Sequence, residues 1–108
     1  TGLAGRLRRL FDPAAAAALG EQLVLRAKAR ERWGEDLGFL LTAPGLEMMT
    51  HPALARRRAA RLLRVGHAVV DLTCGLGGDL RAFTAAGLAT AGLERDPVTA
   101  LLASANVP

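Results

Sequence analysis

Apolar positions along the chain change their period several times, and each change marks an element. Leu3, Leu7, Leu10 and Phe11 recur at three- and four-residue steps, which predicts a short basic amphipathic helix over residues 3–11. Asp12 followed by Pro13 is a helix start signal, so a second helix is expected over Pro13–Trp33. Residues 34–45 have little helical period; Gly38, Pro44 and Gly45 punctuate the apolar run 39–41, which reads as a brief strand or a packed loop. In GLEMMTHPALARRRAARLL, Thr50 or His51 should cap a third helix with Pro52 in its first turn. Ala55, Ala59, Leu62 and Leu63 would share its apolar face, with Arg57, Arg58, Arg61 and Arg64 turned outward. Ala68, Val69 and Val70 suit a strand buried on both faces, ended by Asp71 and followed by three glycines within four positions. Leu80, Phe83 and Thr84 then return to helical spacing, and Gly87 closes that helix. Residues 88–93 read as a second strand, and Asp96–Pro97 opens a last helix.

This order predicts an α/β chain. Residues 1–50 form a basic helical N-terminal region, and residues 51–108 form a strand-helix-strand-helix unit, the first half of a doubly wound parallel sheet. Two parallel strands leave edges and apolar faces open, so the rest of a longer domain or a second copy is expected to cover them.

Composition narrows the classes. The single cysteine, Cys74, excludes an internal disulfide. No apolar run approaches the roughly 20 residues that span a bilayer, so a chain free of the membrane, in the cytoplasm, is expected. Two unrelated histidines make no metal site. The net charge is +4, and it is unevenly spread. Residues 1–66 carry twelve basic against six acidic side chains, a net of +6, while residues 67–108 carry two against four, a net of −2. Such a split is read either as a solvated helix surface or as a nucleic-acid-facing extension joined to a ligand-binding core.

The chemistry centres on VVDLTCGLGGDL, residues 69–80. A parallel strand that feeds a helix through glycines directs backbone N–H groups and the positive helix end toward one mouth of the sheet. Gly75 and Gly77 are expected to let a ligand approach the main chain closely. Glu94, at the tip of the second strand and about 20 residues beyond the loop, stands where a carboxylate can accept both hydroxyls of a ribose. A dinucleotide loop needs GxGxxG, whereas this chain reads GLGGDL with Leu80 at the last glycine position. Asp79 also repels a pyrophosphate, while a ligand bearing an amino group or a sulfonium tolerates both Asp71 and Asp79. Cys74 has no His or strong base beside it and reads as a small filler rather than a nucleophile.

DLTCGLGGDL followed by GLERDP resembles the first two motifs of class I S-adenosylmethionine-dependent methyltransferases. It is most similar to the trimethylguanosine synthase-like group, whose loop reads roughly DxxCGxGG, and GLEMMTHPALARRRAARL is similar to the capping turn and helix that precede the fold there. The resemblance covers about residues 45–106. It implies a Rossmann-like domain with S-adenosylmethionine as cofactor. Asp71, Gly75 and Gly77 would lie on the methionine and ribose side, Glu94 on the ribose hydroxyls, and Thr50 against the cofactor from the preceding segment. Thr73, Cys74, Gly78 and Arg95 complete the cofactor-lining set, Thr73 replacing the usual first glycine. Residues that grip the methyl acceptor follow the fourth strand in such enzymes, so no catalytic residue is assigned and this stretch alone is expected to be inactive. RNA, bound through the basic helices, is the acceptor expected of the full-length protein. The rival readings are a small-molecule or protein methyltransferase, a nucleotide-binding oxidoreductase, and a helical interaction module without a ligand.

Overall fold

The computed structural model describes residues 2–108. In chain order its elements are α1 (Gly2–Leu10), α2 (Pro13–Trp33), α3 (Ala43–Met48), α4 (Pro52–Leu63), β1 (Ala68–Asp71), α5 (Gly78–Ala85), β2 (Ala89–Gly92) and α6 (Pro97–Asn106). The chain is mixed α/β, with six helices and a two-stranded parallel sheet among the described residues. No helix among them is long and apolar enough to cross a membrane.

The helix boundaries follow local chemistry. Asp12 Oδ1 accepts the Ala15 N–H at 2.8 Å, Pro13 occupies the first turn of α2, and Gly34 closes the helix in the left-handed region at φ 72°. The same signature opens α3, a helix absent from the sequence reading: Thr42 Oγ1 accepts the Gly45 N–H at 3.0 Å with Pro44 in the first turn. The proline and glycine that looked like punctuation are a capped helix start. At α4 the cap is His51, whose Nδ1 accepts the Ala53 N–H at 3.1 Å; Thr50 is free for another partner.

Residues 39–41 are a packed loop rather than a strand. Phe39 and Leu41 are each 2 % exposed, and side-chain amides supply what a neighbouring strand would. Gln22 accepts the Leu41 N–H at 2.8 Å and donates to the Leu41 carbonyl at 2.7 Å. Asn106 accepts the Leu40 N–H at 2.7 Å and donates to the carbonyls of Leu40 and Leu76.

β1 and β2 pair in parallel, Ala68 opposite Ala89 and Asp71 opposite Gly92. The ladder continues past the strand ends, where the Leu93 N–H donates to the Asp71 carbonyl and the Cys74 N–H to the Leu93 carbonyl. The expectation of a strand buried on both faces fails: burial alternates along β1, and Val70 is 58 % exposed. α4 and α5 pack beside one another, and the cluster Ala59, Leu80, Phe83 and Leu88 takes in Val69 on one side of the sheet. Leu63, expected on the apolar face of α4, is exposed, and that face is made by Pro52, Ala55 and Ala59.

A second cluster joins Leu25, Ala29 and Trp33 of α2 with Phe39, Leu41, Leu46 and Leu76, and Leu102 packs against it. Leu76 belongs to the glycine loop and Leu102 to α6, so the N-terminal helices and the strand-bearing half share this core. Each fully buried large side chain here is worth roughly 1.5–3 kcal/mol relative to exposure. α1 contributes no buried residue.

Three surface carboxyls, Glu35 half-buried and the others exposed, are held below the usual range: Glu35 by the Arg56 guanidinium, Asp36 by the Gly38 N–H and Arg26, and Asp96 by Thr99. A carboxyl with a depressed folded value adds stability that is complete above its unfolded value and lost as pH falls through the folded one. Thermal unfolding followed by circular dichroism should therefore show the melting temperature falling below about pH 4. Added salt should weaken the share carried by the Glu35–Arg56 pair.

Candidate functional site

An open crevice of about 940 Å³ lies between α3, the segment leading into α4, the glycine loop and the tip of β2. It is lined by Thr42, Pro44, Gly45, Met48, Met49, Thr50, Leu72, Thr73, Cys74, Gly75, Leu76, Gly78, Asp79, Glu94, Arg95, Asp96 and Thr99. The structure thus brings Thr50, Thr73, Cys74, Gly75, Gly78, Glu94 and Arg95 to one cavity. Asp71 and Gly77 do not line it.

Asp71 acts one step back. Its Oδ1 accepts the Thr73 N–H at 3.0 Å, which folds the chain into a turn at the strand end and directs residues 73–75 into the crevice. Gly75 has φ 55°, and a Cβ placed there would meet nothing within 4 Å, so its exposed side is open. Gly77 also needs a left-handed backbone, at φ 98°, but its close approach is to α6: a Cβ would stand 2.8 Å from Val107 Cγ2. The expectation that a side chain at Gly77 would occupy ligand space is therefore corrected; it would push α6 away from the loop. At Gly78 the close neighbour is Met49 Cγ, 2.9 Å from where a Cβ would be.

Gly77 stands at the N-cap of α5 and supplies no side-chain acceptor. First-turn amides of that helix are left to solvent or a ligand, and the helix end is positive. Asp79 does not face a ligand alone. Thr50 Oγ1 donates to its Oδ2 at 3.0 Å, and Arg58 Nη1 lies 3.2 Å from the same oxygen and 3.1 Å from Thr50 Oγ1. This three-residue tie binds the segment before α4 to the first turn of α5 and neutralises the carboxylate at the crevice rim. Arg58 was expected to point outward with its neighbours; it is a structural partner of the site.

Glu94 is anchored by one oxygen. Its Oε2 accepts the Asp96 N–H at 2.8 Å, and among the described residues the other oxygen has no protein partner. Asp96 is occupied as the α6 cap, accepting from the Thr99 N–H at 2.9 Å and the Thr99 hydroxyl at 2.7 Å. Arg95 is exposed and forms no ion pair. Among the described residues no three His, Cys, Asp or Glu side chains cluster as metal ligands.

Burial pushes the Cys74 thiol above its ordinary range, and the negative charges of Asp71 and Glu94 push it further. The thiol is a poor nucleophile at neutral pH, and the same two carboxylates make the surroundings of Cys74 favour a cation. Iodoacetamide should alkylate Cys74, the single cysteine, with a pH midpoint above that of a free thiol, and Asp71→Asn should lower the midpoint. An unshifted midpoint in the native chain would remove this picture of the local field.

The sequence reading missed the wall formed by Thr42, Pro44 and Gly45, as well as Arg58, Asp96 and Thr99. Thr42 and Pro44 carried a readable start signal. The pairing of Arg58 with Asp79, 21 positions apart, left no trace in local pattern.

A parallel strand pair, a bare loop and an acid at the neighbouring strand tip thus meet at one open crevice of a mixed α/β chain. No protein-family model matches it, and no curated protein matches it.

Proposed function

We propose that this chain is the cofactor-binding front part of a class I S-adenosylmethionine-dependent methyltransferase with a Rossmann-like domain, and that RNA is the methyl acceptor of the full-length protein. The observation that carries the reading is that the open side of Gly75 and the half-free carboxylate of Glu94, 19 positions apart in sequence, line one crevice. Its volume lies in the range of about 300–1,000 Å³ common for small-molecule sites.

The residues present fit the group. Glu94 would take the ribose hydroxyls through its unpartnered oxygen, with Asp96 and Thr99 holding the start of α6 beside it. Gly75 and the first amides of α5 would lie against the methionine part, and Thr50 and Met49 would face it from the opposite wall. The cofactor supplies an activated methyl on a sulfonium. That positive charge suits a crevice lined by Glu94 with Asp71 one step behind its wall, where a pyrophosphate would be repelled. Arg58 offsets the charge of Asp79, and on the rest of the lining Arg95 stands against Glu94 and Asp96, so the local sign stays negative.

Isothermal titration with S-adenosylhomocysteine, and separately with NAD, tests the reading. Binding of the first and not the second is expected, and Gly75→Asp should abolish it by filling the open side with a carboxylate. Binding that survives Gly75→Asp, or a preference for NAD, overturns the assignment.

A further inference from the structure

The twelve basic side chains of residues 1–66 are not equivalent once their partners are known. Arg26 and Arg30 lie 3.0 and 3.7 Å from Asp36, Arg32 lies 3.6 Å from Glu47, Arg56 lies 3.0 Å from Glu35 and Arg58 lies 3.2 Å from Asp79. The two basic stripes of α2 are thereby largely spent on the protein's own acids. Among the described residues of this stretch, cations without an ion pair remain on α1, at Lys28 of α2 and on α4, and on α4 they are Arg57, Arg61 and Arg64, the last at its C-terminal cap.

At 100° per residue these three fall within about 60° of one another, directly opposite the buried face made by Pro52, Ala55 and Ala59. All three are exposed. The helix that carries them is held by that buried face and by the Arg56 and Arg58 pairs on its two flanks, which fixes the line along which the three Cα atoms lie. From the helix start beside Thr50 the three guanidinium stems lie roughly 8, 14 and 18 Å along the axis. The stripe therefore leads away from the crevice mouth.

We propose that Arg57, Arg61 and Arg64 form a track for the phosphate backbone of a single-stranded nucleic acid and guide it toward the crevice. A row one side chain wide follows one backbone, and guanidinium groups suit phosphate by charge and by paired donors. An anionic lipid surface fits less well, because a membrane-bound helix inserts its apolar face and that of α4 is already buried in the protein. The proposal rests on the nucleic-acid part of the function proposed above, but not on the identity of the cofactor.

Fluorescence anisotropy with a labelled oligouridine 20-mer, and with the oligothymidine DNA strand as a second arm, tests it across a salt series. Arg57→Gln/Arg61→Gln/Arg64→Gln should weaken binding of the RNA at low salt at least tenfold. It should also flatten the log–log salt slope by about 0.7 per arginine, roughly 2 for the three. Arg6→Gln/Arg8→Gln/Arg9→Gln, which removes the same charge from α1, should have the smaller effect. Equal affinity and slope in the α4 variant overturn the proposal, as does a larger loss in the α1 variant, or wild-type binding to phosphatidylserine vesicles without binding to either strand. Stronger binding of the DNA strand would keep the track and remove RNA as its occupant. Titration of the native chain with S-adenosylhomocysteine separates the two readings: RNA binding without cofactor binding sinks only the cofactor, and cofactor binding without binding of either strand sinks only the track.

Discussion

An Asn106→Leu chain should melt roughly 12–24 °C below the native one. Asn106 is 6 % exposed, and its amide meets three backbone groups: the Leu40 N–H, the Leu40 carbonyl and the Leu76 carbonyl, at 2.7, 3.0 and 2.9 Å. Leucine is close in size, so the chief effect is electrostatic rather than a cavity. It leaves the buried Leu76 carbonyl and the partly buried N–H and carbonyl of Leu40 without a partner, at about 1–3 kcal/mol for the first and less for each of the others. Some relaxation and water entry should hold the total to about 3 kcal/mol, and a domain of this size loses roughly 4–8 °C per kcal/mol. Differential scanning calorimetry reads the shift directly. A drop of less than about 3 °C would mean that solvent replaces the amide and that this junction of the loop at 39–41, the glycine loop and α6 is not tightly closed.

Glu94→Ala should weaken S-adenosylhomocysteine by one to two orders of magnitude in calorimetry. A carboxylate accepting from a hydroxyl contributes about 1.5–3 kcal/mol as a charged hydrogen bond, which corresponds to roughly ten- to a hundredfold. Glu94→Gln separates charge from shape: it keeps an acceptor oxygen but loses the charge, and should fall between the two. Glu94→Ala also removes the hydrogen bond from the Asp96 N–H at the head of α6, so the melting temperature must be measured alongside. Affinity lost with an unchanged melting temperature assigns the effect to the ligand. Unchanged affinity in Glu94→Ala removes the ribose role.

The elements whose cause is local were legible. Asp12–Pro13 and Asp96–Pro97 start helices as their chemistry demands, and the strand, glycine loop and helix follow in order because burial period and backbone freedom are written in adjacent residues. The meeting of Gly75 and Glu94 could be foreseen, since a parallel pair places both strand tips at one end. What escaped depends on distant partners. The role of Gly77 against Val107, the Thr50–Arg58–Asp79 tie and the side-chain amides that satisfy residues 40 and 41 all join positions far apart in sequence, which a local period cannot report. The open face of β1 was missed for the opposite reason: Val70 looks like an interior residue in composition, and only its surroundings leave it uncovered.

Leu76 sits at the centre of the glycine loop and is 2 % exposed, seated among α2 and α3 side chains rather than beneath the sheet. It works as a peg in a socket that the first fifty residues build. Whatever stiffens the loop from the crevice side must also tighten α2, and fraying of α2 must slacken the loop. Occupancy of the crevice and amide-exchange protection in α2 are thus two gauges of one equilibrium. A shortened chain beginning near His51 would lose the socket that shapes its glycine loop while keeping all five arginines of α4 and its cap.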